Sequence, residues 1–298
     1  MIGLEALAEL AAAHPDDLDL PVAPIQVAGR TFDTDAKAAI MGVVNLSRDS
    51  TYRSSIAPSI PAAIRRGTVL AAQGADIVDV GAESTNGTAA RVSAQDQIDQ
   101  LVPVIVGLAD QGVLVSTESY DIDVVRATLK AGARVINLTG STADDPVFEL
   151  AAEFEAAVVL CHLEGDNARD LDGSDLAADP IPGMLAGFAR RIDRARELGA
   201  HQLVIDPGAG FHFGVPQTPA ERIAHQTTIL LNAFRLRRLG VPICQSVPHG
   251  FDLFEDEFRS GEAFFTVLAR LGGAGMIRTH EVPGIVPVLR AMSELPAT

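Results

Sequence analysis

The stretch Gly74-Ala75-Asp76-Ile77-Val78-Asp79-Val80-Gly81-Ala82-Glu83-Ser84-Thr85 contains a whole structural unit. Gly74 stops the helical pattern of Ala62 to Gln73, Ile77 to Gly81 reads as a buried strand, and the strand runs into the polar residues Glu83-Ser84-Thr85-Asn86. Working outward, the same pattern recurs. Further strands are predicted near Ile40 to Asn45, Leu114 to Thr117, Val135 to Leu138, Val158 to His162, Leu203 to Asp206, Pro242 to Ser246 and Met276 to His280. Helical patterns lie between them, among others at Pro182 to Leu198, Glu221 to Leu239 and Glu262 to Leu271, and Gly74, Gly112, Gly132, Gly199, Gly240 and Gly272 read as their C-terminal caps.

Successive βα units joined by right-handed crossovers predict a (β/α)8 TIM barrel, an α/β fold, over residues 38–298. Residues 1–37 read as a short N-terminal extension, with a helix over Leu4 to Ala13 and an extended stretch ending at Gly29-Arg30-Thr31, expected to cover the barrel floor. The 298 residues are 47% hydrophobic yet only 5% aromatic, with no Trp. Such a core must come from Ala, Val, Ile and Leu, as parallel strands covered on both faces require.

A formal charge of −16 repels nucleic acid and anionic membranes, which leaves a small molecule as the expected partner. Cys161 and Cys244 have no paired spacing, so neither a zinc site nor a disulfide framework is expected. Glu5 and Glu9 interrupt the first apolar stretch, unlike a secretory signal, and no apolar run approaches membrane-spanning length. These features predict a cytoplasmic location.

In a barrel the chemistry gathers at the C-terminal strand ends, where the loops converge. The polar residues of this chain fall there: Asn45, Ser47 and Asp49 after the first strand, Thr85 after the second, Glu118 after the third, then Asn137, His162, Asp206, and Arg278 with His280. In Asp206-Pro207-Gly208-Ala209-Gly210-Phe211 the Pro and glycines permit a tight turn. A desolvated Asp206 carboxylate suits a planar edge offering two N–H donors, such as that of a pterin. Arg278 and His280 share one face of their strand, and a buried Arg implies an anion or a flat ring beside it. His162 is open between a core and a pocket role. Both cysteines are expected in the core, and the pairs Arg65-Arg66, Arg190-Arg191 and Arg237-Arg238 at exposed helix positions.

Five segments carry a resemblance: Met41-Gly-Val-Val-Asn-Leu-Ser-Arg-Asp-Ser50, Gly74 to Thr85, Ala133-Arg-Val-Ile-Asn137, Asp206 to Phe211, and Ile277-Arg-Thr-His-Glu-Val282. Together, from about Gly29 to Val282, they resemble the dihydropteroate synthase family, which displaces diphosphate from a hydroxymethyl-dihydropterin diphosphate with p-aminobenzoate. The resemblance implies that Asp206, Asn137 and Glu118 hold the pterin, with Arg278 flanking it. It further implies that Asn45, Thr85 and His280 meet the diphosphate, that Asn45 and Asp49 serve Mg²⁺, and that the chain forms a homodimer.

The departures fall on the loops after strands 1, 2 and 7. Where the family has Thr-Pro-Asp-Ser-Phe, this chain has Ser47-Arg48-Asp49-Ser50-Thr51, without the Pro and the aromatic. Asn86-Gly87 stands for Arg-Pro, and Gln245-Ser246-Val247-Pro248-His249 replaces the segment with Ser-Arg-Lys. Glu118 stands for Asp, and Leu138 for an acidic residue. Arg48, Arg53, Arg91 and His249 are candidate substitutes for the missing cations. Three functions stay open at this point: a transferase acting on p-aminobenzoate or another aromatic amine, a catalytically silent pterin-binding paralogue, and a methyl-tetrahydrofolate-dependent methyltransferase. No catalytic residue is assigned.

Overall fold

The computed structural model describes every residue except 1, 48, 50, 51, 53, 54, 85–88, 164, 165, 168–176, 211–217, 249 and 296–298. A first helix, α1 (Leu4–Ala13), precedes a hairpin of β1 (Ile25–Val27) and β2 (Arg30–Phe32). Its two turn residues, Ala28 and Gly29, both have positive φ, 50° and 71°, the tight turn whose twist matches the paired strands.

Eight parallel strands follow: β3 (Ala39–Asn45), β4 (Ile77–Gly81), β5 (Val115–Ser119), β6 (Val135–Leu138), β7 (Ala157–Cys161), β8 (Leu203–Asp206), β9 (Cys244–Ser246) and β10 (Met276–Thr279). They run in the order β8-β7-β6-β5-β4-β3-β10-β9, and an isolated bridge between Ile205 and Ile243 joins the two ends. The sheet is therefore a closed (β/α)8 barrel. The intervening helices are α2 (Ile60–Ala72), α3 (Ala94–Ala109), α4 (Ile122–Ala131), α5 (Asp144–Glu153), α6 (Ile181–Glu197) and α7 (Pro219–Asn232). The short α8 (Phe251–Phe254), then α9 (Phe258–Leu271) and α10 (Val282–Glu294), complete them. Side chains of Ser59, Ser93, Asp121 and Thr218 cap the N-termini of α2, α3, α4 and α7, satisfying amides that have no partner within the helix. No described helix is long and apolar enough to cross a membrane.

Period-2 alternation divides each strand between two environments. Ile40, Val78, Val80, Ile136, Leu160, Ile205 and Ile277 point outward into the core shared with the helices. Met41, Ile77, Val135, Val159, Val204 and Met276 point inward at the strand starts, where Ile25 and Val27 of the hairpin join them. Two residues further along, the inward positions of five strands turn polar. Ile77 gives way to Asp79, Val135 to Asn137, Val159 to Cys161, Val204 to Asp206 and Met276 to Arg278.

Two expectations need correction. The helix predicted over Glu221 to Leu239 ends at Asn232 and continues as a 3-10 helix over Ala233–Leu239. Three residues per turn bring Phe234 and Arg237 to one side, where both pack on Gly273. Gly272 caps α9 as expected, and the left-handed residue is the next one, Gly273, at φ 79°. Gly272 is required for a different reason, since a Cβ there would lie 1.8 Å from the Leu230 carbonyl oxygen of α7. The arginine pairs are not uniformly exposed. Arg191 reaches inward to both Asp144 carboxyl oxygens at 2.7 and 2.8 Å, and Arg237 to Asp35 at 2.7 Å and the Leu20 carbonyl at 2.6 Å.

Candidate active site

The inward polar residues meet above the apolar floor. Register places Glu118 directly opposite Asn137 across β5 and β6, and Cys161 opposite Asp206 across β7 and β8. Arg278 rises between them, with Nη2 at 3.2 Å from Asp206 Oδ2 and Nη1 at 3.8 Å from Asp79 Oδ2. The Asn137 amide donates to Asp79 Oδ2 at 2.8 Å, and its own oxygen accepts from Cys161 Sγ at 3.3 Å. One cation thus stands among three acidic side chains. The buried Arg278 was expected to require an external anion or ring; Asp206 and Asp79 already compensate it.

Asp206 is fully buried and accepts from the Gly208 N–H at 2.8 Å. Gly208 adopts φ 81°, so the turn depends on a residue without a Cβ. Asp206 therefore caps this turn with one oxygen and meets Arg278 with the other. Burial raises its carboxyl, Arg278 and the Gly208 amide pull it back, and Asp79 adds to the rise. Glu118 is half-buried, one residue before the end of β5. Burial pushes its carboxyl up to about 7, Asp79 reinforces this, and Arg278 opposes it. Burial opposes the charge on Arg278, but the acidic groups around it, Asp206 foremost, together more than offset this, so it stays charged. Gly81 faces Glu118 across the sheet, where a Cβ would come within 2.9 Å of Glu118 Oε2.

Around this ring lies a rim. Asn45 donates through its amide nitrogen to Ser55 Oγ at 2.6 Å, which fixes the plane of the amide. The Asp49 N–H reaches Ser47 Oγ at 3.3 Å, and Ser84 Oγ reaches the Asp49 carbonyl at 3.2 Å, tying the first loop to the second. His280 follows β10, with the Tyr52 ring stacked on it at 4.4 Å and 15° between planes. Arg91 donates to the Tyr120 hydroxyl at 2.7 Å, and that hydroxyl donates to Glu83 at 2.5 Å. Thr85, Arg48, Arg53, Phe211 and His249 lie outside the described residues.

The structure thus brings Asp206, Asn137, Glu118 and Arg278 into one inward layer and places Asn45 at the end of β3, with Asp49 and His280 on the loops after β3 and β10. His162 does not join them. It faces outward from the barrel into a cleft lined by Phe188 and Arg191, and burial, then Arg191, lower it to about 4, so it is neutral there. Burial also pushes both cysteine thiols well up, which keeps them protonated in the barrel core.

Sequence reasoning missed Asp79 as a site residue. Its signal was present in the opening stretch: a carboxylate on the same face as Ile77 and Gly81, within an otherwise apolar strand. It also counted the first-loop aromatic as lost, whereas Tyr52, one position further on, supplies a ring. Glu262, in the middle of α9, gave no signal at all. Among the described residues, no three His, Cys, Asp or Glu side chains cluster as metal ligands.

The family model described as pterin binding enzyme matches residues 41–280. A dihydropteroate synthase from Mycobacterium leprae is 32% identical over 273 residues, covering 86% of this chain and 93% of its own. The dihydropteroate synthase of Xanthomonas albilineans, solved with 4-aminobenzoic acid, superimposes with a TM-score of 0.75 at 27% identity, covering 92% of this chain and 100% of its own. The same enzyme in complex with 7,8-dihydropteroate gives 0.70 at 25% identity, with 92% and 99% covered.

Proposed function

Because the chain belongs to the pterin binding enzyme family, we propose that it is a transferase of dihydropteroate synthase type. It joins a hydroxymethyl-dihydropterin diphosphate to an aromatic amine, p-aminobenzoate or a relative of it, and releases diphosphate. The observation that carries the reading is the buried layer in which Arg278 stands among Asp206, Asp79 and Glu118, with Asn137 between two of the strands. That layer offers carboxylate acceptors and an amide at the bottom of a cavity, which is the complement of a flat heterocycle edged with N–H donors and ring nitrogens. The M. leprae relative bears the same activity in its name, and the X. albilineans structures hold the amine in one case and the product in the other.

In this reading Asp206 accepts from the 2-amino and ring N–H groups, Asn137 and Glu118 meet the remaining edge, and Arg278 flanks the ring. A Glu118 carboxyl near 7 exists in both protonation states at neutral pH, so it can donate to a ring nitrogen or accept from an N–H. The amine attacks the methylene carbon as the carbon–oxygen bond to diphosphate breaks, and charge develops on the leaving oxygen. Asn45 and His280, at the ends of β3 and β10, meet that anion, together with Thr85, which the resemblance assigns to it. Mg²⁺ fits this edge: Asn45 at the end of β3 and Asp49 on the loop after it offer oxygen ligands, and an ion that keeps waters and takes phosphate oxygens needs few protein ligands. Bound there, it would neutralise part of the diphosphate charge.

Incubation with the pterin diphosphate, p-aminobenzoate and Mg²⁺ tests the reading. Release of diphosphate with a coupled pteroate product is expected. Pterin binding by calorimetry without product across a panel of aromatic amines would overturn the transferase and leave a binding paralogue.

A further inference from the structure

Outside the inward layer, buried polar groups gather behind His280. Glu262 of α9 is fully buried. One of its carboxyl oxygens accepts from the Thr279 hydroxyl and, at 3.1 Å, from the His280 backbone N–H. The other lies 3.4 Å from His280 Nδ1. On the ring face stands Tyr52, whose hydroxyl donates to Glu281, and Glu281 also accepts from Arg259 of α9 at 3.0 Å. Arg66 of α2 lies within electrostatic reach of Glu281 and Tyr52. His280 is thus held by a carboxylate at one edge and an aromatic ring on one face.

A fully buried carboxylate is costly unless donors and a counter-charge surround it. Thr279 and the backbone N–H supply two donors, and the remaining oxygen looks at the imidazole. We propose that Glu262 is a positioning residue for His280: its carboxylate accepts from the Nδ1–H, fixes the plane and tautomer of the ring, and leaves Nε2 as the nitrogen that meets an anionic ligand. The inference deepens the function above and rests on His280 facing the diphosphate. A carboxylate on Nδ1 also favours the imidazolium. This gives the rim a cation on the side where the loops after β4 and β9 lack the Arg and Lys of the resembled family.

The test uses the full chain labelled with ¹⁵N-histidine, with the His280 signal assigned from H280Q. Long-range ¹H–¹⁵N spectra of the ligand-free protein are recorded against pH for wild type and Glu262→Gln, and affinity for inorganic diphosphate with Mg²⁺ is measured on both. Neutral His280 is expected to carry its proton on Nδ1. Glu262→Gln, which keeps the shape and removes the charge, should lower the titration midpoint of His280 by about one pH unit and weaken diphosphate binding about tenfold. An unchanged midpoint in a folded Glu262→Gln variant overturns the proposal. If that variant does not fold, the wild-type spectrum decides: a neutral ring protonated on Nε2 overturns it. A lowered midpoint with unchanged diphosphate affinity supports the positioning role and instead refutes His280 as a diphosphate ligand, so the two failures are distinguishable.

Discussion

Glu118→Gln is expected to remove a loss of stability that the wild-type chain suffers as pH rises. The carboxyl, ordinarily at 4.5, is pushed up to about 7 by burial first and by Asp79 second. Between those values the folded chain binds more protons than the unfolded one, so stability falls as pH increases through the window. The gap, at about 1.4 kcal/mol for each pH unit, bounds the loss at about 3 kcal/mol, complete above about pH 7. Asp79 and Asp206 share the field, so the transition should be broader than that of one isolated acid. Gln has nearly the same shape and cannot ionise. Urea unfolding of both proteins, followed by far-ultraviolet circular dichroism from about pH 3.5 to about pH 8.5, isolates the effect as a difference in which the other titrating groups cancel. The variant should match wild type at the acid end and exceed it by up to about 3 kcal/mol at the alkaline end. A difference that stays constant across the range would refute the assignment of this titration to Glu118.

Two further substitutions probe the same layer. Asp79→Asn removes one of the two carboxylates beside Arg278, and should cost about 3 kcal/mol in urea unfolding, at the low end for breaking a buried pair. It should also move the Glu118 carboxyl toward its ordinary range, read from its ¹³C chemical shift against pH; an unmoved Glu118 would remove Asp79 from the cause. Gly208→Ala forces a Cβ onto a residue at φ 81° and should lower stability by about 1 kcal/mol, measured by calorimetry. An unchanged melting temperature would show that the turn holding Asp206 adapts without strain.

The barrel was readable because its strands and helices carry different periods. Strand β8 and strand β6 fall on their predicted residues, and the predicted strands at Leu114 and Pro242 begin one and two residues early. The end of α7 was less legible, because the periodicity over Glu221 to Leu239 does not reveal the change to a 3-10 helix at Ala233, and the close contact of Gly272 with Leu230 shows only in the packing of α9 on α7. For the site, strand-end polarity singled out Asp206, Asn137, Glu118 and Arg278, since a polar side chain that closes an apolar strand on its inward face must find a partner across the bore or in a ligand. Asp79 was concealed by its position within the strand rather than at its end. The role of Glu262 depends on how α9 lies against β10, and a helix interior shows no such pairing in one dimension. His162, left open between core and pocket, is one residue past β7 and has the parity of the outer face.

The single bridge that closes the barrel has a mechanical consequence. Neighbouring strands elsewhere share three to five register pairs, whereas β8 and β9 share only Ile205 with Ile243, helped by the Ile205 N–H to the Pro242 carbonyl at 3.0 Å. The cylinder is in effect a split ring. A split ring yields at its gap, since the seam with the fewest backbone bonds opens at the lowest free energy. The gap runs up to Asp206 on one side and Ser246 on the other, with Gly210 pressed against Ser246 across it. The bore of the cavity can therefore change at the wall that carries Asp206 while the other seven seams keep their pairing.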